Sequence, residues 1–506
     1  MTAEILQKVA SEGLPPTRMN ARRLFGSFSF SHQPPYSRLP NELLSEIFLY
    51  ATCRGVDDRH EIISTPIAVS QVSTRWRNVA ISTGALWGTI IITFPISRGQ
   101  ISRALTWLKR SRSYPLSIFL DFRDPSWDWD LPESAHPFRW QDMEALIRLL
   151  IVHAHRWKQF ELLTDTWAPI FTILHYSRRI KCAPILESIS LSRCNAFFAA
   201  RNATFAPAEM KVPIALFGGL LLDCLREVSL TGVHVDWTTS PLRNLTTLEF
   251  KYLATDVTPT KDQFADILEA CPNLHSLTII GRGPQADSPP SSSGSTATNR
   301  PDSRSKKSAR HVELMSLTSF TFGFNDMDYA LEILSMFSFP SIKTLALENL
   351  SNVDPPALQS LDATPLLKRL SFLDVSSDAT TTPFPLSHII SLKLYSISAS
   401  QATFSQFFDK LRNLEYLGLY NASKDVLEAL KPSSNVDFNS SILPCATLKD
   451  LECRDMDPET LLKMVKLREA VSHLGHVSFE FSNLCPTLRT NFLDAGIDVV
   501  VQTTAQ

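Results

Sequence analysis

The sequence predicts an α/β protein in which a short helical segment precedes a long coil of parallel strands alternating with helices. Two observations predict this fold. A phrase of the form apolar, two residues, apolar, one residue, apolar recurs ten times from residue 186 onward, and amphipathic segments separate several copies. Before this repeat, residues 40–79 carry apolar side chains at three- and four-residue spacing, which is the period of α-helices.

The first predicted helix begins at Pro40, because the N–H that proline lacks would be unpaired in the first helical turn in any case. Glu42 follows, near the positive end of the helix dipole. One apolar face is then formed by Leu43, Leu44, Ile47, Phe48 and Ala51.

A second helix is predicted to start at Thr65 and Pro66, a capping residue before a proline. Its apolar stripe consists of Val69, Val72, Trp76 and Val79. Two short helices with wide apolar faces must pack on each other, and they can leave a hydrophobic surface for a partner helix.

Residues 37–92 resemble an F-box, the helical module that binds a Skp-type adaptor and so links a protein to a cullin ubiquitin ligase. The matching residues are Leu39, Pro40, Glu42, Leu43, Ile47 and Phe48 in the opening motif, and Val72, Trp76, Arg77, Leu86 and Trp87 in the later half. The run W-R-N-V-A-I-S-T-G-A-L-W, followed by W-L-K-R-S at 107–111, is similar to the large F-box families of mushroom-forming fungi. Two features depart from the family: the segment Cys53–Ser64 is longer than a minimal loop, and Ser73 stands where the family often has Cys.

The resemblance implies a set of adaptor-binding residues: Leu39, Pro40, Glu42, Leu43, Ile47, Phe48, Val72, Trp76, Leu86 and Trp87. Trp76 and Trp87 are also candidates for the core of a helical hairpin, since Trp and Phe bury large areas. Stability and docking can therefore share residues.

The repeated phrase is similar to that of leucine-rich repeats. Its copies start at residues 186, 225, 245, 274, 317, 342, 367, 389, 414 and 448. From 317 to 414 the starts differ by 25, 25, 22 and 25 residues, which lies inside the range of about 20–29 for this family. The position eight residues after the phrase start, often Asn or Cys in the family, is Cys194 in one copy but apolar in most others, which indicates an irregular solenoid.

Each phrase predicts a short strand followed by a return helix, as at Gln263–Ala270, Tyr329–Phe337 and Phe404–Leu411. Alternation alone would also suit an antiparallel sheet, but helices between the strands favour a parallel coil. Earlier strands are predicted at Leu86–Thr93, Leu116–Phe122 and Phe160–Leu163.

The predicted organisation is therefore a fold of class α/β with an N-terminal helical F-box followed by an irregular leucine-rich-repeat solenoid. Its parts are a flexible N-terminal tail (1–36), the F-box (37–92), divergent capping turns with the first repeats (93–281), a disordered Ser/Pro-rich insertion (282–311), further repeats (312–490) and a C-terminal tail (491–506). The basic run R-S-K-K-S-A-R at 304–310 is interpreted as a solvated loop, with a nuclear address or a phosphorylation-tuned tether as alternatives.

Composition narrows the function classes. The net charge of −2 gives no global attraction to nucleic acid or anionic lipid. The longest apolar run, Val212–Leu222, has eleven residues, whereas a spanning helix needs about 20. None of the eight cysteines forms a C-x-x-C pair, and no phosphate loop, G-x-S-x-G or H-E-x-x-H motif occurs. We expect no catalytic, cofactor or metal site, no nucleic-acid or membrane partner, and a cytoplasmic or nuclear location.

A client protein is expected on the outward strand residues, the third and fifth of each phrase. Recognition energy concentrates on aromatic and Arg anchors, which appear in the later copies. The predicted client-binding residues are Arg369, Lys393, Tyr416, Asp450 and Glu452. Together with the resemblance, this predicts the substrate-recognition subunit of a Skp–cullin–F-box ubiquitin ligase. The alternative is an F-box and repeat scaffold that acts without ubiquitination.

Overall fold

A computed structural model describes residues 39–53, 59–128, 131–194, 204–285, 310–353, 361–373, 384–432, 443–481 and 486–501. It forms two compact units. The described part of the first is residues 39–83 with Val501, and we call residues 39–83 the helical unit; the second begins at Gly84 and is the sheet unit. The predicted tail 1–36 and residues 286–309 of the predicted insertion lie outside the described residues.

The helical unit contains α1 (Asn41–Cys53), α2 (Arg59–Val72) and α3 (Thr74–Ser82). The predicted start of the second helix at Thr65 is wrong, because α2 already begins at Arg59 and carries Pro66 inside. The predicted stripe through Trp76 is also divided between two helices. Ser73 separates them, since its hydroxyl accepts a hydrogen bond of 3.1 Å from the backbone N–H of Trp76 and caps α3.

The sheet unit is organised around one sheet of fourteen strands among the described residues. In their order across the sheet they are β1 (Thr89–Thr93), β2 (Leu116–Phe122), β3 (Trp157–Thr164), β4 (Ser188–Arg193), β5 (Glu227–Thr231), β6 (Thr247–Lys251), β7 (Ser276–Ile280), β9 (Ser319–Phe324), β11 (Thr344–Asn349), β12 (Ser391–Tyr395), β13 (Tyr416–Tyr420), β14 (Asp450–Arg454), β15 (His476–Phe481) and β16 (Asp498–Val501). Two short strands, β8 (Val312–Glu313) and β10 (Phe337–Ser338), form a separate pair.

Helices connect most of these strands. They are α4 (Arg98–Arg110), α5 (Trp140–Leu150), α6 (Trp167–Ser177), α7 (Lys261–Glu269), α8 (Met327–Leu334), α9 (Thr364–Leu373), α10 (Gln401–Phe408), α11 (Lys424–Ala429), α12 (Pro458–Glu469) and α13 (Pro486–Asp494). From β1 to β15 every neighbouring pair in the large sheet is parallel, so the predicted parallel coil is confirmed for these strands.

The repeated phrase forms a β-strand with alternating burial, as its spacing of apolar residues predicts. In β6 and the turn before it, Leu245, Leu248 and Phe250 are fully buried, while Thr247 and Glu249 between them are partly exposed. Successive strand residues point to opposite faces, so the apolar positions of each copy face the interior of the coil. Burial by neighbouring coils, rather than by the strand itself, stabilises each unit.

One copy of the phrase is not a strand. Residues 367–372, predicted to continue the repeat, lie in the helix α9. Leu366, Leu367 and Leu370 are fully buried and follow helical spacing. Because apolar residues at positions one and four suit both a helix and this phrase, the pattern alone was ambiguous. The side chain of Asp362 accepts a hydrogen bond from the backbone N–H of Thr364 (2.9 Å) and favours the helical start.

The C-terminal segment also differs from the prediction. Residues 491–506 were expected to be a tail, but α13 continues to Asp494 and β16 adds a strand beside β15. Phe492 and Ile497 are buried there. The three early strands were predicted correctly in position, although the segment before Thr89 is a 3₁₀ turn, Gly84–Trp87, rather than a strand.

Buried arginines bind main-chain carbonyls where coils join. Arg156 donates to the carbonyl of Leu108 (2.9 Å) and the hydroxyl of Ser111 (2.8 Å). Arg468 donates to the carbonyls of Leu430 (3.2 Å) and Pro444 (2.8 Å). These hydrogen bonds satisfy buried carbonyls between coils.

Candidate interaction surfaces

The first candidate surface is an apolar row on α1. Leu43, Ile47 and Tyr50 are spaced four and three residues apart, so their side chains lie on one side of the helix. Their exposed fractions are 51%, 48% and 62%. We call these three residues the α1 row.

The opposite side of α1 forms the small core of the helical unit. Leu44 and Phe48 are each only 1% exposed, and the Phe48 ring lies 4.9 Å from the ring of Trp76. Arg75 fastens the start of α1 by donating to Asn41 Oδ1 at 3.1 and 3.0 Å. The row is therefore presented by a helix that is held in place.

The predicted adaptor-binding residues fall into two groups. Exposed or partly exposed are Leu39, Pro40, Glu42, Leu43, Ile47, Val72 and Trp76. Buried are Phe48, Leu86 and Trp87. The chain itself covers these three side chains in this structure, and their expected contact with an adaptor stays a prediction.

Trp87 belongs to the core of the sheet unit. Its ring lies 5.4 Å from that of Trp107 in an edge-to-face arrangement, and the Arg110 guanidinium lies 4.5 Å from its centroid. Leu86 is 2% exposed in the same 3₁₀ turn. Both side chains therefore anchor the first strand β1, which begins at Thr89.

The second candidate surface is the open face of the sheet, formed by the strand residues that alternate with the buried ones. The parallel register aligns these residues into rows that run across the strands. The last row runs, from β6 to β15, through Lys251, Ile280, Gly323, Glu348, Tyr395, Tyr420, Arg454 and Glu480. The sequence prediction considered only the third and fifth phrase positions and missed this seventh one.

Four of the five predicted client-binding residues lie on the open face near β12–β14. They are Lys393, Tyr416, Asp450 and Glu452. The fifth, Arg369, does not, because it lies on α9 rather than on a strand. The structure adds Tyr395, Tyr420 and Arg454 to the same surface, and we call these seven residues the tyrosine patch.

Hydrogen bonds order the tyrosine patch. The Tyr416 hydroxyl donates to Glu452 Oε2 at 2.5 Å and lies 3.2 Å from the Tyr420 hydroxyl. Burial, followed by the hydrogen bond to Glu452, raises the pKa of Tyr416 to about 12, and burial also raises the pKa of Tyr420. Both phenols are therefore neutral hydrogen-bond donors at physiological pH.

The earlier strands carry a different surface. Serine, threonine and acidic side chains predominate there, and the Glu249 carboxylate accepts hydrogen bonds from Ser229 (2.8 Å) and Lys251 (2.8 Å). Its charge is thus satisfied within the chain. Tyrosine rings on the open face lie in the later strands β12 and β13, where binding energy is expected to reside.

A cavity of about 800 Å³ lies beside α5 and α6. Polar side chains around it are paired: the Arg193 guanidinium with the Glu133 carboxylate, and His136 Nε2 with Asp165 Oδ2 at 3.2 Å. These pairs stabilise the surrounding loops. In the described part of the chain, no three His, Cys, Asp or Glu side chains are placed to hold a metal ion. Within the same residues, no helix combines the length and apolar character needed to cross a bilayer.

Comparison with protein-family models and with curated proteins gives no match. The proposed function is therefore argued from the exposed residues of each surface, taken by itself.

Proposed function

We propose that this chain is the substrate-recognition subunit of a Skp–cullin–F-box ubiquitin ligase. In this proposal the α1 row binds a Skp-type adaptor, and the open face of the sheet binds a client protein. The observation that carries the proposal is the exposure of Leu43 and Ile47, because both residues belong to the motif that resembles the opening of an F-box.

The exposed row has the chemistry of a helix-docking surface. Helices that bind in grooves contact their partners through apolar residues at positions such as i, i+4 and i+7, which is the spacing of Leu43, Ile47 and Tyr50. Exposed apolar side chains grouped in this way are typical of interaction sites. Burying a side chain of this size from water stabilises a complex by about 1.5–3 kcal/mol before the costs of association.

The sheet supports the second half of the proposal. Fourteen strands, spaced about 4.8 Å apart, make a surface long enough for a macromolecule rather than a metabolite. A receptor of this kind needs no reactive group of its own. It accelerates ubiquitin transfer by holding the client near the charged carrier.

The test is co-purification of the full chain with a Skp-type adaptor. We expect a complex with the unaltered chain and a loss of affinity of more than about tenfold for the double variant Leu43→Asp and Ile47→Asp, since two buried apolar contacts would be replaced by charges. Leu105→Asp is the matched control, because Leu105 in α4 is 49% exposed but lies in the sheet unit.

Failure of the unaltered chain to bind the adaptor, or equal loss in the Leu105 control, would contradict the proposal. Adding a cullin separates ligase function from scaffolding. A complex that recruits the cullin and supports ubiquitin transfer to a bound client agrees with a receptor. A complex that binds the adaptor without recruiting the cullin would instead favour a scaffold.

A further inference from the structure

The last row of the open face contains a run of alternating charges and rings. Glu348, Tyr395, Tyr420, Arg454 and Glu480 occupy neighbouring strands β11 to β15 and pair in register. Adjacent parallel strands are about 4.8 Å apart, so each side chain in this run lies against the next.

At the β15 end of the run, the chain itself supplies a ring, a cation and a carboxylate. The rings of Tyr395 and Tyr420 are stacked, with centroids 4.3 Å apart and an angle of 8° between their planes. The Arg454 guanidinium lies 5.9 Å from the Tyr420 centroid and pairs with Glu480. The order on this side is therefore ring, cation, carboxylate.

The other end has the ring and the carboxylate but not the cation. Glu348 is the register partner of Tyr395, and its carboxylate has no hydrogen bond or ion pair with any residue that the structure describes. The nearby cation, Lys251, is already paired with Glu249 at 2.8 Å. Burial raises the pKa of Glu348, with Lys251 opposing the shift, so this carboxylate is partly desolvated without a compensating contact.

The strand before Glu348 places no charged or hydrogen-bonding side chain in register with it. On its other side the register partner is Gly323, which has no side chain. A Cβ at Gly323 would lie 3.0 Å from the side chain of Ile280, so the packing there favours glycine. Ala346, two residues before Glu348 on the same strand, is also small.

We infer that this end of the row binds a cationic side chain of the client protein, with the carboxylate of Glu348 as its counter-ion and the ring of Tyr395 as its stacking surface. This inference rests on the proposed client-binding role of the sheet and names the chemistry that it recognises. Arginine is the preferred residue, because a planar guanidinium stacks on a ring and pairs with a carboxylate, as Arg454 does at the other end.

The two ends differ in what they offer a partner. At the Arg454 end the cation is supplied by the chain, so the face is neutralised. At the Glu348 end a client arginine would restore the same order of ring, cation and carboxylate. Binding there replaces the water lost by a half-buried carboxylate with a charge-assisted contact, which is stronger than a neutral hydrogen bond.

The test is selection of a phage-displayed random peptide library on the full chain, compared with the variant Glu348→Gln. We expect peptides with a fixed arginine or lysine from the unaltered chain and loss of that preference in the variant. For one selected peptide made synthetically, exchanging arginine for citrulline should weaken binding by about tenfold, and Glu348→Gln should weaken it comparably.

The matched control is Glu227→Gln, which removes the same charge from the first row of the open face. It should keep the preference. The variant Glu348→Arg should instead select acidic peptides, because its side chain carries the opposite charge. An unchanged midpoint of thermal unfolding shows that each variant is folded.

The inference is overturned if the selected peptides show no preference for arginine or lysine. It is also overturned if that preference is the same for the Glu348→Gln variant. Adaptor binding is measured on the same samples and should be unchanged in every variant. Loss of adaptor binding by the unaltered chain would count against the proposed ligase function, whereas a missing peptide preference with intact adaptor binding would count against the Glu348 site alone.

Discussion

The helical unit and the sheet unit differ in how far their apolar side chains are exposed. In the helical unit, α1 buries Leu44 and Phe48 but leaves Leu43 and Ile47 about half exposed. In the sheet unit, apolar phrase residues such as Leu394 in β12 are fully buried, because the neighbouring coils cover them. Among the described residues of the helical unit, α1 is covered on the side of Leu44 and Phe48. Leucines at similar spacing are therefore half exposed on α1 and fully buried in the sheet unit.

The largest expected effect comes from comparing two leucines. Leu394→Ala should lower the free energy of unfolding by about 2–5 kcal/mol, because it leaves a cavity in the core. Leu43→Ala should change it by less than about 0.5 kcal/mol, because Leu43 is 51% exposed. Urea denaturation measures both. Similar losses for the two variants would show that the units do not differ in this way.

The next comparison is between two arginines, one in each unit. Arg468 is 1% exposed and binds carbonyls between coils, whereas Arg75 binds Asn41 near the surface of the helical unit. Arg468→Met should cost about 2–4 kcal/mol, since buried carbonyls lose their donors. Arg75→Met should cost about 1 kcal/mol or less. Thermal denaturation of both variants measures this difference, and a larger loss for Arg75→Met would contradict it.

A smaller effect concerns pH and falls on the sheet unit. His234 is 2% exposed, its ring stacks on Trp167 at 4.7 Å, and burial lowers its pKa to about 4 from an ordinary value of 6.5. The unfolded chain then binds more protons than the folded one, so stability is full above pH 6.5 and is lost as the pH falls toward 4.

This residue alone should contribute a loss of about 2 kcal/mol between pH 8 and pH 5. His234→Phe should remove that part of the pH dependence, even if it lowers stability at every pH by losing the hydrogen bond between His234 and the Lys211 carbonyl (2.9 Å). Urea denaturation at pH 8 and pH 5 compares the two proteins. An equal slope in both would refute the assignment.

The sequence predicted the parallel sheet well, since the spacing of buried residues within each phrase is a direct consequence of strand geometry. It failed at residues 367–372, where leucines that suit a strand also suit α9. The Asp362 side chain accepts a hydrogen bond from the backbone N–H of Thr364, the first residue of α9. That signal is local and could have been weighed against the repeat.

The candidate surfaces were predicted only in part. Tyr416 and Glu452 were found, but Tyr395 and Tyr420 were missed because the repeat phrase was taken to end at its sixth residue. Extending each strand by one position would have placed them. The burial of Phe48, in contrast, could not be read from its motif, because inner and outer residues of α1 are equally apolar.

The proposed function depends on the docking of a Skp-type adaptor on the α1 row. Hydrogen–deuterium exchange of the full chain, with and without the adaptor, tests this most directly. We expect slower exchange across Asn41–Cys53 in the complex and unchanged exchange in β12–β14. Unchanged exchange in α1 at saturating adaptor, or protection confined to the sheet, would contradict it.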